Sequence, residues 1–117
     1  MRVISQDGTI DVPYDYFSLY MAGGKFSDGE VAYIYCRNNA STLNGTKLAE
    51  YSTEVKAIKA MEILREQYSR IEIIKALASG TCKHMEESLK PEEFKDILKK
   101  YINMEVFQFP QDDEIEV

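Results

Sequence analysis

Apolar and polar residues alternate along the first fifty positions, and then apolar residues recur every third or fourth position. Val3 and Ile4 lead into Gln6-Asp7-Gly8, after which Ile10 and Val12 alternate with polar neighbours. Asp-Gly between two such runs predicts a hairpin, because glycine tolerates the positive φ that tight primed turns require. Pro13 cannot donate to a strand ladder, so it ends the second strand or keeps it at an edge. A third strand is expected at 16–21, with Phe17, Leu19 and Met21 on one face and Tyr16, Ser18 and Tyr20 on the other. Residues 31–37 are the clearest strand, rich in β-branched and aromatic side chains and apolar enough to be covered on both sides. A polar loop at 38–46 carries Asn44-Gly45, a second hairpin signal, and a fifth strand follows at 47–51.

Beyond Ser52 the period changes. Val55, Ile58, Met61, Leu64, Tyr68, Ile71, Ile74 and Leu77 form one stripe of a long amphipathic helix. Ser52 is the expected N-cap and Gly80 the expected stop, giving a helix about 40 Å long at 1.5 Å per residue. That exceeds what a five-stranded sheet covers, so the helix is expected either to break near Ser69 or to extend into a partner. A second helix is expected at 91–102: Pro91 opens it, Glu92 and Glu93 occupy its first turn, and Lys99 and Lys100 its last. Phe94, Ile97, Leu98, Tyr101 and Ile102 make its apolar face, and Val106, Phe107 and Phe109 suggest a short final strand.

The pattern therefore predicts an α+β fold. It would be an antiparallel meander of about five short strands against a long amphipathic helix, with a C-terminal helix and a final strand. At 117 residues the chain is one domain, 1–110, with a strand-rich half at 1–51 and a helical half at 52–110. The net charge of −6 is unevenly spread, because residues 105–117 hold five acidic residues and no basic one. The body is nearly neutral. Residues 111–117 read as a mobile acidic tail whose deletion leaves the fold intact.

No apolar h-region follows Met1, and no run reaches the roughly 18–20 residues a bilayer requires, so a cytoplasmic location with no membrane partner is expected. Cys36 and Cys82 are far apart and need not pair. The stretches Ile4-Ser5-Gln6-Asp7-Gly8…Asp11-Val12-Pro13-Tyr14 and Leu48-Ala49-Glu50-Tyr51-Ser52-Thr53-Glu54…Lys56-Ala57…Lys59-Ala60-Met61-Glu62-Ile63-Leu64-Arg65 are similar to small uncharacterised proteins of Gram-positive bacteria, often encoded among prophage or mobile-element genes. The resemblance covers residues 1 to about 68. It implies a strand-rich half closed by a helix, a phage-related origin, and an extension at 72–117.

Catalytic patterns are sparse. His84 is the single histidine, two positions from Cys82, and that spacing shows no more than proximity. Cys36 alternates with Ile34 and reads as a small buried hydrophobe. Zinc needs about four ligands at short spacings, and Ala22-Gly23-Gly24-Lys25 lacks both the spacing and the following Ser/Thr of a phosphate loop. No catalytic, cofactor-binding or metal residue is therefore expected. Nucleic acid is disfavoured because the tyrosine-rich half holds only four basic residues. The expectation is a non-enzymatic protein-interaction module that forms a homodimer. Its surface would comprise Tyr16, Tyr20, Tyr33, Tyr35, Ile71, Ile74 and Leu77. The alternative is a nucleic-acid-associated protein that uses a tyrosine-bearing sheet face.

Overall fold

A computed structural model describes residues 1–26, 29–38, 45–88 and 91–116; the side chains of 26, 77–88, 91, 93, 94, 97, 98 and 101 fall outside that description. The Asn44 turn signal, Cys82, His84, Leu77 and the Phe94, Ile97, Leu98 and Tyr101 side chains therefore lie beyond what is described. The fold is α+β. Its strands are β1 (Arg2–Ile4), β2 (Asp11–Pro13), β3 (Phe17–Phe26), β4 (Gly29–Asn38), β5 (Thr46–Tyr51) and β6 (Val106–Gln108). Helices α1 (Glu54–Ser88) and α2 (Pro91–Met104) separate β5 from β6.

The strands divide into two three-stranded sheets, ordered β2-β1-β6 and β3-β4-β5. β1 and β2 are joined by the Asp-Gly turn. Gly8 has φ +78, and the Asp7 carboxylate accepts from the Ser5 hydroxyl (2.7 Å) and from the Thr9 backbone N–H (3.0 Å) and hydroxyl (2.7 Å). Those donors hold the Asp7 carboxyl down at about 2, with the Ser5 hydroxyl contributing most. β6 adds to the other side of β1 in parallel, which the alternation of the first fifty residues gave no means to foresee. In register, Val12, Val3 and Phe107 form one buried row across this sheet. Pro13 lies on the edge strand, where its missing N–H costs nothing.

The second sheet is the meander β3-β4-β5. Its inner face presents Ala32, Ile34 and Cys36 to α1, whose buried stripe is Ala57, Ala60, Leu64 and Ile71. The stripe is rotated from the expected one at its start: Val55 and Ile58 are exposed, at 57 % and 41 %. Alanines at 57 and 60 let the helix backbone approach the sheet closely, and a reading keyed to bulky residues passes over them. Gln67, midway along, donates through Nε2 to the Met104 and Val106 carbonyls at 2.7 and 3.0 Å, pinning the junction of α2 and β6 to α1. α1 also runs through Gly80 to Ser88. A helical glycine costs about 1 kcal/mol relative to alanine, a bias and not a stop. Ile102, assigned to the apolar face of α2, is 63 % exposed.

The helix cap differs as well. α1 starts at Glu54, so Thr53 is the N-cap, and its hydroxyl accepts from the Lys56 N–H at 3.2 Å. Glu30 of β4 accepts from the Glu54 N–H at 3.0 Å. Ser52 serves the C-terminal segment instead: its N–H and hydroxyl donate to the Asp112 carboxylate at 2.7 and 3.0 Å, and the Lys56 ammonium lies 3.2 Å from it. The residues expected to form a free tail are thus packed against the start of α1. Ile115 is buried and the Tyr51 hydroxyl donates to the Pro110 carbonyl at 2.8 Å. Gln6 links the two sheets to this segment, donating to the Leu48 and Pro110 carbonyls at 2.8 and 3.1 Å. The acidic composition of 111–117 hid the buried Ile115 and the Asp112 carboxylate, which anchor it.

Candidate interaction surface

Strand parity separates two faces of β3-β4-β5. Ala32, Ile34 and Cys36 point to α1, so Val31, Tyr33, Tyr35 and Arg37 occupy the opposite side. Antiparallel register puts Tyr20 opposite Tyr35 and Ala22 opposite Tyr33, which assigns Tyr20 and Ala22 to that same outer face. Among the described residues, α1 is the main element packed on this sheet, and it lies on the inner face.

Three of the predicted tyrosines meet there. Tyr20 and Tyr35 are stacked with ring centroids 5.6 Å apart and planes 20° from parallel, and Tyr33 tilts against Tyr35 at 6.0 Å. Tyr20 remains 40 % exposed. Its hydroxyl reaches across β4 to Gly45, where a Cβ would collide with it; Gly45 is thus a seat for the ring.

A bulge completes the site. Ile34 pairs with Ala49 but Tyr35 pairs with Lys47, so Leu48 is an extra residue in β5. In a regular strand, residues three apart point to opposite faces. One inserted residue reverses the parity, turning Leu48 and Ala49 both inward and Lys47 and Glu50 both outward. Lys47 and Glu50 then pair at 3.6 Å, and the Lys47 ammonium sits 5.5 Å from the centroid of the Tyr33 ring. Reading 47–51 as an unbroken strand gives no signal for this arrangement. Only the unusual run of two buried residues between two polar ones hints at it.

The other predicted site residues are elsewhere. Tyr16 is 69 % exposed in a short 3-10 turn (Tyr14–Tyr16), and no ring contact joins it to the other three among the described residues. Its neighbour Tyr14 packs on Tyr68 at 4.6 Å, and the Tyr68 hydroxyl donates to Asp15 at 3.1 Å, which raises the Tyr68 phenol above its ordinary value. Ile71 is wholly buried in the core shared with Phe107, so it offers no interaction surface. Ile74 is half-buried, and the Leu77 side chain lies outside the described residues.

The aromatic face offers adhesion: flat rings, hydroxyl donors and a paired cation and anion. Burial pushes the Cys36 thiol up, away from the thiolate form a nucleophile needs. The carboxylates of Glu30, Glu50 and Asp112 are engaged, Glu30 at the helix start, Glu50 with Lys47 and Asp112 with Ser52 and Lys56. Among the described residues, no cluster of His, Cys, Asp and Glu is placed to hold a metal ion, and no helix is long and apolar enough to cross a membrane. No protein-family model, curated protein or solved structure matches the chain.

Proposed function

We propose that the protein is a non-enzymatic protein-interaction module that docks its partner on the outer face of β3-β4-β5. The observation that carries this reading is the contiguous Tyr20–Tyr35–Tyr33 surface with Lys47 and Glu50 beside it, on a sheet face that α1 leaves uncovered. Tyrosines bring large contact area with few rotatable bonds, and interface hot spots are enriched in them. Ordering such rings in advance lowers the entropy lost on binding.

A peptide library displayed on phage and selected against the intact chain tests it. Enriched peptides should lose about tenfold in affinity for the Tyr35→Ala variant, the scale of one interface hot spot at about 1.4 kcal/mol. Peptides that bind Tyr35→Ala and Tyr33→Ala as tightly as the parent would sink the proposal.

Association of nucleic acid with the same rings is the second reading. Lys47 over Tyr33 and Arg37 further along the face favour it, since bases stack on rings while cations meet phosphates. The −6 net charge and the Lys47–Glu50 pair oppose it. Fluorescence anisotropy with a labelled 20-mer oligonucleotide at low salt decides between the two: saturable binding selects the second reading. We extend the leading reading to a homodimer, supported by the exposed apolar side chains Val55, Ile58, Ile73, Ile102 and Val106. A cytoplasmic location and a mobile-element origin belong to the same proposal.

A further inference from the structure

The two sheets have four outer strands, and three of their free edges are protected. β2 is three residues long and ends in Pro13, β6 is three residues long, and the outer edge of β5 is occupied by Gln6, which donates to the Leu48 carbonyl and accepts from the Glu50 N–H. Short length, proline and a covering segment are the usual devices against edge-to-edge pairing. Among the described residues, no such device is seen along β3. It is ten residues long, contains no proline, pairs with β4 in unbroken register from Phe17 to Phe26, and among the described residues β4 is the only strand bonded to it.

We infer that the free edge of β3 pairs antiparallel with β3 of a second copy of this chain, joining two three-stranded sheets into one of six strands. The inference rests on the homodimer reading above and names its interface. The strand itself argues for a second copy. Its first half is bulky (Phe17, Leu19, Tyr20, Met21), and three small residues follow at its centre (Ala22, Gly23, Gly24) before Lys25 and Phe26 close it. Directly opposed residues of an antiparallel pair share a face, so a two-fold axis must pass through a residue. With the axis at Met21, Leu19 meets Gly23 of the second copy, Tyr20 meets Ala22 and Ser18 meets Gly24. With the axis at Ala22, Tyr20 meets Gly24 and Met21 meets Gly23. At the centre of the strand either register sets a large side chain over a small one, the arrangement in which an aromatic covers a strand glycine.

Charge permits the pairing too. Lys25 is the one charged residue of β3 and sits at its far end, opposite Glu30 on β4. Two-fold pairing holds the two copies of Lys25 about 20–27 Å apart at 3.4 Å per residue, beyond the ~10 Å range of screened repulsion. The tyrosine faces of the two copies would then lie side by side on one continuous sheet.

The test is mass by size-exclusion chromatography with light scattering on the full chain. The parent should run at about 27 kDa, twice 13.5 kDa. Ala22→Lys brings like charges together near the axis and should give a monomer with an unchanged circular dichroism spectrum. An equal mixture of Ala22→Lys and Ala22→Glu should return to the dimer mass, a recovery that a merely structural role for Ala22 would not produce. If Ala22→Lys lowers the melting temperature, Ala22→Glu alone repeats the experiment, since it sets like charges at the same place near the axis with a shorter side chain. A parent dimer that Ala22→Lys and Ala22→Glu each leave intact overturns the β3 interface and spares the homodimer. A parent monomer at millimolar concentration overturns both.

Discussion

Replacing Asp112 with alanine measures what the C-terminal segment contributes to the fold. The carboxylate accepts two hydrogen bonds from Ser52, at 2.7 and 3.0 Å, and faces the Lys56 ammonium at 3.2 Å. Charge-assisted bonds can each reach about 1.5–3 kcal/mol when dry, but this side chain is 40 % exposed, and exposed ion pairs contribute about 0–1 kcal/mol. The nearest measured analogue is loss of a helix cap, about 0.5–2 kcal/mol, so about 1.5 kcal/mol is expected for Asp112→Ala. In a chain of this size that lowers the melting temperature by about 5–8 °C. Deleting 111–117 also uncovers the site of Ile115, 5 % exposed, whose burial is worth about 1.5–3 kcal/mol. The truncated chain should lose about 3–4 kcal/mol, a large part of the ~5–15 kcal/mol of a typical domain. Thermal unfolding by circular dichroism is the assay, with the exposed Glu116→Gln as control. A truncated chain that melts within 2 °C of the parent would refute the reasoning and return 111–117 to the status of a tail.

The same contact has a pH signature. The Ser52 backbone N–H, foremost among its partners, holds the Asp112 carboxyl below its ordinary value, so the stability it contributes is complete above the unfolded pKa of about 3.9 and fades as pH falls through the lower folded value. The gap in melting temperature between the parent and Asp112→Ala should therefore be constant at pH 5–7 and close below pH 4; a gap that widens on acidification contradicts the assignment. Asp7 acts in the same direction over 3.8 to about 2, and Asp7→Asn should flatten the acid limb of the parent's stability curve. Gly23→Ala should destabilise the β3–β4 hairpin by about 2 kcal/mol or more, because the added Cβ strikes the Val31 carbonyl and lies 2.8 Å from the Ala32 Cα; chemical denaturation with no change in midpoint would refute it. Gly45→Ala should displace the Tyr20 ring and reduce the near-ultraviolet circular dichroism of the stacked tyrosines while the far-ultraviolet spectrum holds. Cys36, 2 % exposed and with its thiol pushed up by burial, should resist iodoacetamide at pH 7 until the chain unfolds.

Local patterns carried the local elements. Asp7-Gly8 specified its turn, the alternation at 31–37 specified β4, and Pro91 with its acidic first turn specified α2. What depended on distant partners did not show. Val106-Phe107 reads as a strand, but nothing in three residues says that it will lie parallel to β1. Small residues were the other blind spot, since Ala57 and Ala60 bury the start of α1 while the bulkier Val55 and Ile58 face solvent. For the surface, parity put Tyr33 and Tyr35 on one face of β4, while the register that sets Tyr20 opposite Tyr35 was not in the alternation. The bulge at Leu48, which breaks parity, brought Lys47 and Glu50 to them unannounced.

The parallel pairing of β1 with β6 makes one strand wait for another synthesised about a hundred residues later. Arg2 pairs with Val106 and Ile4 with Gln108, a separation of about a hundred residues. Closing a loop of that length costs about 4 kcal/mol of chain entropy. The β1–β2 hairpin can form early, but Val3 gains its cover from Phe107 only when α1 and α2 have returned the chain to its starting point. Until then β1 has one open side, exposed to pairing with another nascent chain. Docking of β6 is in this sense the clasp that ends the folding process, and sequence changes around Gln67, which holds that junction to α1, should alter the yield of folded protein more than its final shape.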